Sequence, residues 1–254
     1  MLYSLIAAFQ MYSRIPMPQI PWEERNRRYA LCFFPLIGAV IGALLIGWAA
    51  LCKGLGIPTF LFAAVAVCIP VGITGGIHLD GFCDVEDARA SFAPPARRLA
   101  ILSDPHVGSF AVLHLGLYLL VQTAAFASLR SFRGILVCAC SFMVSRTLSA
   151  LCAVTFRCAK KTGTLQSFVR PAHRHITCGV LITLLFAEML GMLFLSPLPG
   201  LVSLCAACVM LRHYHAFANK TFGGITGDTA GWFLQKCELW MLIGIVLTEI
   251  LQGV

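Results

Sequence analysis

Stretches of about 20 apolar residues, the length that crosses roughly 30 Å of hydrocarbon, recur along this chain. They fall near residues 30–52, 57–77, 109–129, 134–156, 176–196, 197–218 and 232–252, which predicts about seven membrane-spanning helices. The sixth is the weakest, because its purely apolar part, 201–211, is short. Only 12% of the 254 residues are charged, about half the fraction of a soluble domain. The alternating ten-residue segments of a transmembrane β-barrel are absent. The expected fold is all-α: one polytopic membrane-embedded catalytic domain over residues 1–254, with cytoplasmic active-site loops.

The net charge of +8 is explained by topology and does not point to nucleic acid. With a cytoplasmic N-terminus, fourteen basic residues fall inside: Arg14, Arg25, Arg27, Arg28, Arg89, Arg97, Arg98, Arg157, Lys160, Lys161, Arg170, Arg174, Arg212 and Lys220. Lys53, Arg130 and Arg133 fall outside. That bias obeys the positive-inside rule. It predicts a multi-pass protein with its N-terminus and polar loops cytoplasmic and the lipid bilayer as a partner. Residues 2–11 are too short to span and lack a preceding basic region, so they predict an interfacial helix ending at Pro16 and Pro18 and not a cleaved signal. The twelve cysteines are scattered. Cys205 and Cys208 form a C-x-x-C among apolar neighbours and read as buried small hydrophobes.

Five of the eleven acidic residues lie between Asp80 and Asp104. Four carboxylates within eight residues would cost roughly 10 kcal/mol if held dry and unpaired at mid-bilayer. The segment therefore belongs at the membrane surface or in a watery cleft, with counter-cations. Asp80, Asp84 and Asp87 are spaced i, i+4, i+7 and share one helix face, while Glu86 points elsewhere. Like charges at that spacing weaken a helix. A divalent ion offsets this, and carboxylate oxygens suit Mg²⁺ completed by substrate phosphates. The competing reading is a solvated acidic face. The helix is expected to end at Pro94–Pro95, with a second short helix around Ala96–Leu102.

Other residues extend this candidate site. His78 is placed to orient a carboxylate, bind phosphate or take a proton, or else to pack or cap. Asp104 orients the site or caps a helix start. The run Gly223–Gly231 (GGITGDTAG) lacks a Walker lysine, yet Gly223, Gly224, Thr226 and Gly227 offer backbone N–H groups to an anion, with a helix starting near Thr229 behind them. Asp228 is the only acid there and completes a metal site with the first cluster. Glu238, an acid within the last span, is functional by default or ion-paired. Arg146 lies inside the fourth span and needs water, an acid or a phosphate. Arg14 and Arg89 are anion partners on the cytoplasmic side, with Arg97, Arg98, Lys160, Lys161 and Arg170. Carboxylates, glycine loop and arginines together suit phosphoryl transfer.

These segments, in this order, resemble the cobalamin synthase family. The pieces that carry the resemblance are FQMYSRIPMP near the start, GGIHLDGFCDVED at 75–87, ILSDPHVGSF at 101–110 and GGITGDTAG at 223–231, followed by Glu238. The resemblance covers nearly the whole chain. It implies an integral inner-membrane enzyme of bacteria or archaea, dependent on Mg²⁺, that joins adenosylcobinamide-GDP to α-ribazole, or its 5′-phosphate, and releases GMP. It also implies that His78, Asp80, Asp84, Asp87, Asp104, Asp228 and Glu238 are motif residues, with His78, Asp87, Asp104 and Glu238 as catalytic candidates. A homo-oligomer or other corrinoid-pathway enzymes are candidate partners. The chain departs from the family pattern at Tyr12–Ser13, Ala88 and Trp232–Phe233.

Two rival functions make different demands. A CDP-alcohol phosphotransferase shares the chemistry but needs D-G-x-x-A-R and a later G-x-x-x-D-x-x-x-D; here D-G is followed by F-C-D-V. A cation transporter needs mid-span acids and inverted repeats, whereas these acids gather in one polar loop.

Overall fold

The computed structural model describes residues 1–253, and among them it forms twelve helices and no strand. In chain order these are α1 Leu2–Tyr12, α2 Glu24–Arg27, α3 Ala30–Leu55, α4 Thr59–Thr74, α5 Ile77–Ala90 and α6 Pro95–Ile101. Then come α7 Ser109–Ala127, α8 Phe132–Thr155, α9 Thr164–Val169, α10 Arg174–Leu195, α11 Pro197–Phe222 and α12 Gly227–Gln252. By length and composition, α3, α7, α8, α10 and α11 can each cross a membrane. A sixth crossing is possible only if α4 and α5 count together, and they bend by 97° at their junction.

The chain is thus an all-helical multi-pass membrane protein; against about seven expected spans, five helices, or six with the bent pair, have the length and apolarity of a crossing. The span expected at 57–77 stops at Thr74, because Gly75 and Gly76 both take left-handed backbone (φ 66° and 80°). Helix α5 leaves nearly at right angles and is not itself a crossing segment. Helix α12 covers the span expected at 232–252, yet it carries Asp228, Lys236, Glu238 and Glu249. It lies buried against α5, α8 and α11, so neighbouring helices and not lipid surround most of its polar groups.

Lipid offers little hydrophobic drive for helix association, so close backbone approach carries much of the packing. Gly38 and Gly42 of α3 bring that helix directly onto α8; a Cβ on Gly42 would come 2.6 Å from the Ala139 carbonyl oxygen. Helices α11 and α12 meet through stacked rings, Tyr214 on Phe233 at 4.7 Å and Phe217 on Trp232 at 4.6 Å. Helix α1 ends before Pro16 as expected and buries Ile6, Ala7, Ala8 and Phe9 towards α3. Helix α10 is the most peripheral crossing, exposing Ile182, Phe186, Leu190 and Phe194.

Two local expectations change. Helix α5 ends at Ala90, short of Pro94–Pro95, where Phe92 adopts left-handed backbone (φ 51°). Cys205 and Cys208 are exposed on α11 and unpaired, not buried. They occupy the apolar outer surface of that helix, where a thiol is as compatible as a methyl group.

Candidate active site

The site forms where α5 crosses the start of α12. Gly81 permits the crossing: a Cβ there would sit 2.8 Å from the Asp228 Cα. Gly231 does the same one turn away, against the His78 backbone at 3.0 Å. Two motifs separated by about 145 residues of sequence are thereby pressed together. The start of α12 is held by a capping box, in which Thr229 N–H donates to Thr226 Oγ1 (3.1 Å) and Thr226 N–H donates to Thr229 Oγ1 (2.8 Å).

Asp80, Asp84 and Asp228 consequently crowd one another. Burial, then the charges of Asp80, Asp228 and Asp87, push the Asp84 carboxyl from 3.8 to about 7, with Lys160 opposing. Burial also raises Asp228, against the pull of Lys160 and the Thr226 hydroxyl. Among the described residues, no three His, Cys, Asp or Glu side chains gather closely enough to hold a metal ion by themselves. The crowded carboxylates are nonetheless hard oxygen donors short of cations. They fit an ion such as Mg²⁺, which takes one or two protein carboxylates and completes its shell with phosphate oxygens and water.

Asp87 departs from the expected ligand set. Its carboxylate accepts from Gly108 N–H (2.6 Å) and Ala111 N–H (2.8 Å), and so caps α7. Asp104, exposed, accepts from the His106 backbone N–H at 3.0 Å, and its Oδ1 lies 2.7 Å from the His106 ring Nδ1. These bonds hold its carboxyl below the usual range. It tightens the turn before α7, and Asp87 caps the helix itself.

Gly223 and Gly224 also differ from expectation. Their N–H groups donate to Asn219 O (3.1 Å) and Ala218 O (3.2 Å), closing the end of α11. Gly224 further admits the backbone of residues 157–159, where Ile225 N–H donates to Arg157 O at 2.8 Å and Ala159 N–H to Ile225 O at 2.9 Å. Neither N–H is available to an anion. Thr226 and Gly227 do face a cavity of about 200 Å³, which Lys160 and Asp228 also line.

Arg146 and Glu238 answer each other. The two buried side chains meet at 2.6 Å, and Ser145 Oγ donates to the same Glu238 oxygen at 2.8 Å. Arg89 reaches back along α5 to Glu86 at 2.6 Å. Glu86, fully buried, also accepts from Trp232 Nε1 at 2.9 Å and faces Lys236 at 3.6 Å. Arg89 and Arg146 are therefore bound to chain carboxylates.

The remaining candidates surround two cavities that meet at Asp80. One, of about 270 Å³, is lined by Tyr12, Phe34, His78, Ser149, Leu165 and Asp228 among others. The other, of about 580 Å³, is lined by Arg14, Gly75, Gly76 and Cys83. His78 is buried, with Nδ1 unpartnered. Burial and the nearby Arg146 cation push its imidazole down to about 3, so it is neutral at physiological pH.

Sequence reasoning missed Phe34, Ser149, Thr164 and Leu165, which carry no chemical signature and join the cavity only through folding. It also missed Glu188, buried on α10 and accepting from the Thr147 hydroxyl at 2.8 Å. A lone acid in an apolar span was the signal that could have found it.

The cobalamin-5-phosphate synthase family model matches residues 4–246. An adenosylcobinamide-GDP ribazoletransferase of Lachnoclostridium phytofermentans is 42% identical over 248 residues, covering 98% of this chain and 95% of that protein. Proteins with the same name from Pseudomonas fluorescens (94% and 98% covered) and Clostridium perfringens (93% and 95%) are each 30% identical. No solved structure matches the chain.

Proposed function

The chain belongs to the cobalamin-5-phosphate synthase family, and from that premise we propose that it joins adenosylcobinamide-GDP to α-ribazole or its 5′-phosphate and releases GMP. It is a transferase of cobalamin biosynthesis and a multi-pass membrane protein. We place it in the bacterial inner membrane with α5 and the start of α12 towards the cytoplasm, following the distribution of basic residues.

The reaction is one phosphoryl-group exchange. An oxygen of the riboside's ribose forms a bond to the phosphorus that carries the corrinoid. The bond from that phosphorus to the bridging oxygen breaks, its electron pair leaves with GMP, and the ribose hydroxyl proton passes to a base. Asp80, Asp84 and Asp228 are the carboxylates positioned for this work. They would hold Mg²⁺, which when bound neutralises charge on the diphosphate and lowers the pKa of the attacking hydroxyl.

The chain's own residues divide the rest. Arg14 lines the larger cavity next to Asp80 and supplies a cation for the diphosphate. Thr226, Gly227 and Lys160 offer a further polar wall beside Asp228. His78 is neutral and buried, so it offers one N–H donor and one ring-nitrogen acceptor and does not act as a charged acid. Asp87 positions α7 behind the acid face. The Arg146–Glu238 pair ties α8 to α12 and keeps the start of α12 in place.

The observation that carries this reading is the packing of Gly81 on the Asp228 backbone, which joins the two acidic motifs at the meeting point of two cavities. The test is GMP release by purified protein supplied with adenosylcobinamide-GDP, α-ribazole and Mg²⁺. No GMP above a heat-treated control would overturn it.

A further inference from the structure

We propose that the cavity of about 270 Å³ receives the aromatic base of the riboside, and that Tyr12, Phe34 and Ser149 decide which bases it accepts. The proposal rests on the transferase reading above and adds to it the subsite and its selectivity.

Size comes first. Pockets for drug-sized molecules run from about 300 to 1,000 Å³. A cavity of about 270 Å³ admits neither a corrin ring with its amide side chains nor a whole guanosine diphosphate. A flat one- or two-ring heterocycle fits.

Wall chemistry agrees. Tyr12 and Phe34 lie with ring centroids 4.5 Å apart and Phe34 lies 5.8 Å from the His78 ring, an aromatic panel along one side. Ala150 and Ala153 of α8 add a smooth apolar wall that includes the Ser149 hydroxyl. Such walls favour a planar apolar ring by stacking and burial. Thr164, Asp80 and Asp228 give the cavity a polar end. His78 lines the same cavity and is 6% exposed.

Position completes the argument. The cavity shares Asp80 with the larger Arg14 cavity and contains Asp228. A base held among Tyr12, Phe34 and Ser149 leaves its ribose at the carboxylates. The diphosphate reaches the same carboxylates from the Arg14 side. The two substrates thus enter separate cavities and meet at Asp80.

The experiment uses the full-length protein in detergent and the α-ribosides of benzimidazole, dimethylbenzimidazole and adenine. Each is first titrated without the GDP-corrinoid, and GMP release is then measured with both substrates. Ser149→Leu, which fills the cavity, should raise the KM for the dimethylated riboside about tenfold or more. The unsubstituted riboside should suffer less, and the KM for adenosylcobinamide-GDP should stay within about twofold of its starting value. Tyr12→Ala, which enlarges the cavity, should move preference towards the larger base and serves if Ser149→Leu fails to insert. Unchanged riboside preference in both variants, or a shift confined to the GDP-corrinoid KM, overturns the subsite while GMP release upholds the transferase. Absence of GMP release from the unaltered protein overturns the transferase reading, and the titration still judges the cavity: riboside affinity that neither variant changes sinks it.

Discussion

Gly81 of α5 lies so close to Asp228 of α12 that a Cβ at Gly81 would stand 2.8 Å from the Asp228 Cα and 2.9 Å from its carbonyl oxygen. Both are backbone atoms of a helix start, so neither can swing aside. Gly81→Ala should therefore part the two helices, at about 1–3 kcal/mol of stability. Turnover should fall about 100-fold or more, because a displacement near 1 Å misplaces the carboxylates. Thermal unfolding and GMP release, measured on the same preparation, check both; wild-type turnover would show that the crossing does not hold the site.

Asp84→Asn should abolish Mg²⁺-dependent GMP release while leaving membrane insertion intact. The position is half-buried among carboxylates, and the amide removes both a charge and a ligand oxygen. Near-normal activity in this variant would remove Asp84 from the proposed ion site.

Metal-free protein should lose stability as pH rises from 4 to 7. Asp84 in the folded chain titrates near 7, against about 3.9 unfolded. Between those values the folded state holds a proton the unfolded state has released, so stability falls with rising pH. Mg²⁺ competes with that proton. Its affinity should climb with pH up to about 7 and then level off, and added Mg²⁺ should cancel the destabilisation. Melting curves across pH, with and without Mg²⁺, test the sign.

Asp87→Ala should behave as a lost helix cap, not as a lost metal ligand. Freeing the Gly108 and Ala111 N–H groups costs about 1 kcal/mol. Turnover should drop through a shifted α7, with the apparent Mg²⁺ affinity unchanged. A large rise in the Mg²⁺ requirement would return Asp87 to the ion.

Glu238→Gln and Arg146→Met should each destabilise strongly, by about 3–5 kcal/mol, since either leaves a buried charge without its partner. Replacing both with apolar residues should recover most of the loss. A double-mutant cycle on thermal stability measures this coupling; additive losses would show that the pair is not the source.

Much of the architecture was legible in the chain because the hydrocarbon thickness imposes a length on every apolar run. Five such runs are helices of crossing length. Helix α12 was expected as a span at 232–252, yet Lys236, Glu238 and Glu249 mark a helix satisfied largely by protein. In the candidate site, the shared face of Asp80, Asp84 and Asp87 followed from helical period, and Asp228 from its isolation in a glycine loop. The same period could not reveal that Asp87 turns to α7, nor that Gly223 and Gly224 have their N–H groups bonded at the end of α11.

What the sequence by itself determined is which residues are too costly to leave dry in lipid, and hence where chemistry concentrates. Periodicity and transfer free energy are local properties, so they can be read without a fold. Which of those residues meet each other was decided only by tertiary structure. Arg146 answers Glu238, Trp232 answers Glu86, and Asp228 comes to Asp80 and Asp84. Such pairings join segments far apart in the chain, those between α5 and α12 through close approaches at Gly81 and Gly231, and no local pattern encodes them.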